Sequence, residues 1–139
     1  MAIVYPNVGR VYAAQLVTKK ATPEDLILRL FKNNVSPAVG SVLADFTEAT
    51  FSGYSLVTLT PANWSETSAT VVRSDYAPAV EFTSDAGSQN EDIYGYYIAT
   101  VTSGILVAVE RFTNAPFNVA DLGDKITVPP VMLFASSAG

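Results

Sequence analysis

The side chains in this sequence that could do chemistry are carboxylates, because its 139 residues include no His and no Cys. Two carboxyl groups that face each other can serve as acid and as nucleophile or base in glycoside hydrolysis. The closely spaced acidic pairs are Asp45 with Glu48, Glu81 with Asp85, and Glu91 with Asp92. All of them lie in or beside stretches with the composition of polar loops or turns, where solvated carboxylates are the ordinary outcome. We therefore predict no catalytic residues and a protein that is not an enzyme.

A metal or cofactor site is not predicted either. The absence of His and Cys removes the usual zinc ligands. Asp85, Asn90, Glu91 and Asp92 could offer oxygen ligands to calcium, but their spacing does not match an EF-hand loop. The chain also lacks a glycine-rich phosphate loop of the P-loop or dinucleotide type. We expect no metal and no cofactor.

The charge balance argues against nucleic-acid and membrane partners. The formal net charge is −5, and Lys19-Lys20 is the single basic doublet, whereas phosphate binding requires clustered Lys and Arg. No run approaches the roughly 20 apolar residues of a membrane helix. Residues 1–6 lack the basic start of a signal peptide, so folding in a cytoplasm is expected. Only 15% of residues are charged and 49% are apolar, which suits a chain that packs against other chains.

Residues 7–19 carry the best helical pattern in the chain. The apolar residues that lie about one helical turn apart are Val8, Val11, Tyr12 and Leu16. Asn7 is predicted to cap the helix at its N-terminus. The helix is predicted to pack on the core. Alternatively, it is an arm that docks on a neighbouring subunit.

After a break at residues 21–25, the apolar period changes to two, which is typical of strands. The predicted strands are 26–31, 54–60, 68–73, 79–83, 93–101, 105–112 and 125–134. Pro129 and Pro130 should place the last strand at a sheet edge or give it a bulge. The pattern predicts a mainly β fold, a single-domain antiparallel β-sandwich of the jelly-roll or immunoglobulin-like kind with a short N-terminal helix. We assign residues 1–20 to an N-terminal segment and residues 21–139 to the sandwich.

The clearest hairpin joins residues 93–101 to residues 105–112. Tyr94 and Tyr96 are expected to share one face, yet both faces of the hairpin are largely apolar, unlike those of a free sandwich. One face should therefore be covered, either by a loop or the N-terminal helix, or by another chain, for which tyrosine is well suited. The long connection 33–53 has the length of a binding loop.

Trp64 is the sole tryptophan. It is expected to anchor the core or its rim, with a sugar-stacking platform as the alternative. The candidate interface residues are therefore Val11, Tyr12, Leu16, Trp64, Tyr94 and Tyr96.

Several stretches resemble a family of small bacteriophage virion proteins of the capsid decoration, or cement, kind. They are LRLFKNNVSP at 28–37, FSGY at 51–54 with VTL at 57–59, FT at 82–83 leading to IYGYY at 93–97, and ERF at 110–112. The resemblance covers most of the chain, although none of these motifs carries chemistry. It implies a structural virion protein at the capsid surface, which binds the major capsid protein, stabilises the shell and forms a homo-oligomer. The alternatives are a tail or fibre-base component, or a receptor- or carbohydrate-binding module.

Overall fold

The computed structural model describes residues 3–135, and this range contains one α-helix and eleven strands. The elements are α1 (Asn7–Val17), β1 (Leu26–Phe31), β2 (Val57–Leu59), β3 (Trp64–Thr67), β4 (Val71–Tyr76), β5 (Val80–Thr83), β6 (Glu91–Ile93), β7 (Gly95–Thr100), β8 (Leu106–Arg111), β9 (Phe117–Val119), β10 (Lys125–Val128) and β11 (Val131–Ala135). The predicted mainly β fold with an N-terminal helix is confirmed, and the arrangement is sandwich-like. The predicted ranges 1–20 and 21–139 also include residues 1, 2 and 136–139, which lie outside the described residues.

The strands form four antiparallel sheets around one inner core. The largest sheet has the order β2-β1-β7-β8, and smaller sheets are formed by β11-β4-β3, β10-β5 and β6-β9. The inner core draws buried residues from all four sheets, so the large sheet packs face to face against the smaller ones. Its members include Leu28, Leu30, Leu59, Phe82, Ile93, Tyr96, Ile98, Ala108, Val119, Val128 and Met132.

The opposite face of the large sheet carries a second, outer core, which residues 33–53 cover through Val35, Leu43 and Phe46, whereas Ala49 and Phe51 enter the inner core. We call residues 33–53 the cover segment. Phe46 of this segment packs edge-on against Phe31, with ring centroids 5.0 Å apart, and lies 5.8 Å from the ring of Tyr97. The chain therefore covers the second apolar face of the hairpin with its own loop, which confirms the first of the two predicted explanations. The segment lies along the sheet instead of projecting as a free binding loop.

The predicted hairpin is confirmed as β7 and β8, but Tyr94 and Tyr96 do not share a face. Tyr96 points into the inner core, whereas Tyr94 packs beside the outer core. The prediction was wrong because Tyr94 lies in the break between β6 and β7, where the alternation of a continuous strand is lost. Glu110 and Arg111 point to opposite faces as predicted. The Arg111 guanidinium lies 5.0 Å from the Tyr94 ring centroid, whereas burial and the nearby negative charge of Glu110 raise the pKa of Tyr96.

Three other strand predictions are corrected. The chain turns within residues 68–70, so the predicted strand 68–73 is replaced by β3 and β4, which pair with each other. The predicted strand 54–60 shrinks to β2. The predicted strand 125–134 divides into β10, which pairs with β5, and β11, which pairs with β4 at a sheet edge. Pro129 and Pro130 separate them, because proline has no N–H to donate to a ladder.

Helix α1 lies on the edge strand β8. Asn7 was wrongly predicted as its N-cap: Pro6 occupies that position without a side-chain cap, and the Asn7 side chain accepts a hydrogen bond from Arg10. Gly9 lets the helix approach β8 closely, because a Cβ atom there would lie 2.6 Å from the Leu106 carbonyl oxygen. In the described range, no helix is long and apolar enough to cross a membrane.

Candidate functional site

The first predicted acidic pair performs two separate structural tasks. The Asp45 carboxylate accepts a hydrogen bond from the backbone N–H of Val42 at 2.9 Å, which closes a short turn in the cover segment. Glu48 accepts a hydrogen bond from the Tyr54 hydroxyl at 2.9 Å and lies 3.4 Å from Arg29 Nη1. Burial, together with the negative charge of Glu48, raises the pKa of Tyr54 above its ordinary value. The contact of Glu48 with Arg29 of β1 holds the cover segment to the large sheet, whereas the Asp45 contact lies within the segment.

The other acids considered as catalytic or calcium-binding candidates are also engaged in contacts within the chain. Glu81 pairs with Lys125 across β5 and β10 at 3.3 Å. Asp92 and Asn90 each accept a hydrogen bond from the same Asn118 amide, both at 2.8 Å. Among residues 3–135, no three acidic side chains are grouped so that they could hold a metal ion.

Glu91 makes the densest set of polar contacts of these acids. One carboxylate oxygen accepts hydrogen bonds from the backbone N–H groups of Thr50 and Phe51, at 2.7 and 2.9 Å. The other accepts from the Thr50 hydroxyl at 2.7 Å and lies 3.3 Å from Lys32 Nζ. Glu91 therefore fastens the end of the cover segment to β6.

Replacing Glu91 with glutamine should weaken this fastening in a pH-dependent way. Burial raises the pKa of Glu91, but the donors from Thr50 and Lys32 outweigh that effect and lower it below its ordinary value. A carboxylate with a lowered pKa stabilises the fold above its unfolded-state pKa, and this contribution is lost as the pH falls through the folded-state pKa. We expect Glu91→Gln to cost about 1–3 kcal/mol near neutral pH, measured by urea unfolding, and much less in acid.

The matched control is Glu81→Gln, because Glu81 forms an exposed pair with Lys125 that should contribute less than about 1 kcal/mol. Equal losses for the two variants, or a Glu91→Gln difference that does not change with pH, would contradict the role assigned to Glu91.

The six candidate interface residues do not form one surface. Tyr12 is buried, and its hydroxyl accepts a hydrogen bond from the Glu24 N–H at 3.0 Å. Tyr96 is buried in the inner core. Tyr94 is half-buried, and Trp64 packs edge-on against Tyr76 at the rim of the inner core, with centroids 5.2 Å apart. Each of these four side chains thus has a packing role within the chain.

The remaining candidates, Val11 and Leu16, lie on different sides of α1. Val11 is 55% exposed and Leu16 is partly exposed. A shallow apolar depression runs along the same helix beside Val8, Val11 and Ile105. The apolar residues predicted to share one face of the helix therefore do not all pack on the core. Gly9 and Tyr12 face β8, whereas Val8 and Val11 are exposed to solvent.

A deeper apolar cavity of about 230 Å³ lies between α1 and β11, and we call it the α1 groove. Helix α1 contributes Tyr12, Ala13 and Leu16 to its lining, and the strands contribute Val107, Met132 and Phe134. Phe134 is 56% exposed there. Sequence reasoning missed the strand residues, because no local pattern brings β11 next to α1. A largely apolar lining of this kind is suited to receiving an apolar side chain.

The comparisons with known proteins add no family to this description. No family model matches the chain, and no curated protein and no solved structure was found to match it.

Proposed function

We propose that this chain is a structural protein of a bacteriophage particle, a capsid decoration protein that binds the major capsid protein and stabilises the shell. The structural observation that supports the proposal most is the apolar surface of α1, which exposes Val8, Val11 and Val17 and also borders the α1 groove. An exposed surface of this kind is typical of sites that bind another protein. The sequence resemblance to phage virion proteins supplies the identity of the partner.

The energetics of a shell favour such a protein. Covering apolar surface contributes roughly 25 cal/mol per Å², before the cost of association. The same binding site is repeated at every equivalent position of a symmetric shell, so a modest stabilising free energy per site is multiplied. In this proposal the chain acts as a homo-oligomer at the capsid surface, after synthesis in the host cytoplasm.

The test is sedimentation of the purified chain with shells assembled from the major capsid protein of the same genome. We expect the chain to sediment with the shells and to raise their melting temperature, and we expect light scattering to show an oligomer. Shells without the chain are the control. A chain that stays in the supernatant, or that cryo-electron microscopy locates in the tail alone, would refute capsid decoration. Glycan binding that is lost in Trp64→Ala would instead support the carbohydrate-binding alternative.

A further inference from the structure

The α1 groove is bordered by a helix whose solvent side is unusually apolar. Arg10 is the one charged residue of α1, and the exposed positions of the helix include Val8, Val11, Ala13 and Val17. A helix on the surface of a free protein normally presents charged and polar residues to water, whereas one that is apolar on all sides is normally buried. The composition of α1 therefore indicates that another surface covers it.

The charge around the helix differs in sign from that of the rest of the chain. Residues 1–23 contain Arg10, Lys19 and Lys20 and no acidic residue. The remainder contains all 13 acidic residues against the other five basic ones. Lys19 and Lys20 are exposed at the end of α1, and Arg10 lines the groove. A partner that covers this region would gain electrostatic complementarity from carboxylates placed beside its apolar contacts.

One acidic residue, Glu24, also lines the groove, but its carboxylate is already engaged. It accepts hydrogen bonds at 2.8 Å from the backbone N–H groups of Thr102 and Ser103, and a further one from the Ser103 hydroxyl. These donors lower the pKa of Glu24. Glu24 therefore fastens the β7–β8 turn and remains negatively charged, so it offsets only part of the positive charge that Arg10, Lys19 and Lys20 present.

We propose that the α1 groove binds a segment of a partner protein that inserts an apolar side chain between α1 and Phe134 and places flanking carboxylates near Arg10, Lys19 and Lys20. The inference rests on the proposed function for the source of the segment, the shell protein. A second copy docked through α1 is disfavoured, because it would bring the same three cations together. An anionic membrane is disfavoured, because the rest of the chain is strongly acidic.

The first experiment selects binders from a displayed library of short random peptides on the immobilised full chain. We expect enrichment of peptides with one or two large apolar residues flanked by Asp or Glu. Ala13→Trp, which adds an indole to an exposed groove position, should weaken their binding by about tenfold or more, the equivalent of about 1.4 kcal/mol. Ala14→Trp is the matched control, since Ala14 is the exposed neighbour on the same helix and does not line the groove, and it should bind as the unmodified chain does.

A second pair of variants tests the charge. The double variant Lys19→Glu/Lys20→Glu should bind the selected peptides more weakly, and its binding should depend less on salt. Lys125→Glu, which changes a residue of β10 outside α1, should alter neither the affinity nor its salt dependence. No enrichment, enrichment of basic peptides, or equal binding by Ala13→Trp would overturn the proposal. Binding to vesicles of anionic phospholipid, or self-association that Ala13→Trp abolishes, would overturn it in favour of a membrane or a second copy.

Shell sedimentation separates the two proposals. If the unmodified chain does not bind shells, the proposed function fails, whatever the peptides show. If the unmodified chain and Ala13→Trp bind shells equally well, capsid decoration stands and the assignment of the groove fails.

Discussion

Replacing Gly95 with alanine is expected to destabilise the protein severely, although alanine is normally the better residue in a strand. Gly95 is buried at the start of β7, between its partners in β1 and β8. A Cβ atom there would lie 2.1 Å from the Glu110 carbonyl oxygen and 2.6 Å from Cε1 of the Phe31 ring. The ring belongs to the packed outer core and the carbonyl to the backbone of the paired strand, so neither can move freely.

We expect Gly95→Ala to cost about 3 kcal/mol, at the upper end of overpacking effects, and to lower the melting temperature by roughly 10 °C. Thermal and urea unfolding followed by circular dichroism would measure both quantities. Gly40→Ala is the matched control, because a Cβ atom at Gly40 meets no atom within 4 Å, and alanine there restricts the unfolded chain. A Gly95→Ala variant as stable as Gly40→Ala would show that β7 and β8 are farther apart than the structure places them.

The elements that sequence reasoning predicted well are those defined by local periodicity. The alternating residues of β1 and of the hairpin β7–β8 indicate strands by themselves, and the pattern of residues 7–19 indicates a helix. The elements it missed depend on partners distant in the chain. β6 and β9 have three residues each, too few to show a period, and they are strands because they pair with each other. Gly9 and Gly95 carry no hydrophobic signal, yet each lies so close to the backbone of β8 that a Cβ atom would not fit.

The candidate site shows the same division. Val11 and Leu16 could be identified from the helical pattern, since both belong to one short stretch. Met132 and Phe134 could not, because they come from the opposite end of the described chain and meet α1 only in the folded molecule. The apolar second face of the hairpin was identified correctly, and a loop was one of its predicted covers, but the sequence could not specify residues 33–53, because they have no regular period from which their packing could be derived.

Replacing Phe46 with alanine tests whether the cover segment is a fixed part of the fold. Phe46 is 6% exposed and contacts Phe31 and Tyr97 in the outer core. Removing a buried phenylalanine side chain costs about 3–5 kcal/mol, through lost burial and the cavity that remains. We expect Phe46→Ala to lower the free energy of unfolding by that amount in urea. We also expect increased binding of the dye ANS, because the loosened segment would expose the apolar face of the large sheet.

Val39→Ala is the control within the same segment, because Val39 is 57% exposed and its truncation should change stability by less than about 0.5 kcal/mol. If Phe46→Ala were no more destabilising than Val39→Ala, the cover segment would be only loosely attached, and the outer face of β1, β7 and β8 would become the better candidate for a partner surface. A large loss for Phe46→Ala alone would mean that this face is filled by the chain itself. A partner would then have to bind elsewhere, and the apolar surface beside α1 is where Val11 and Phe134 remain open to it.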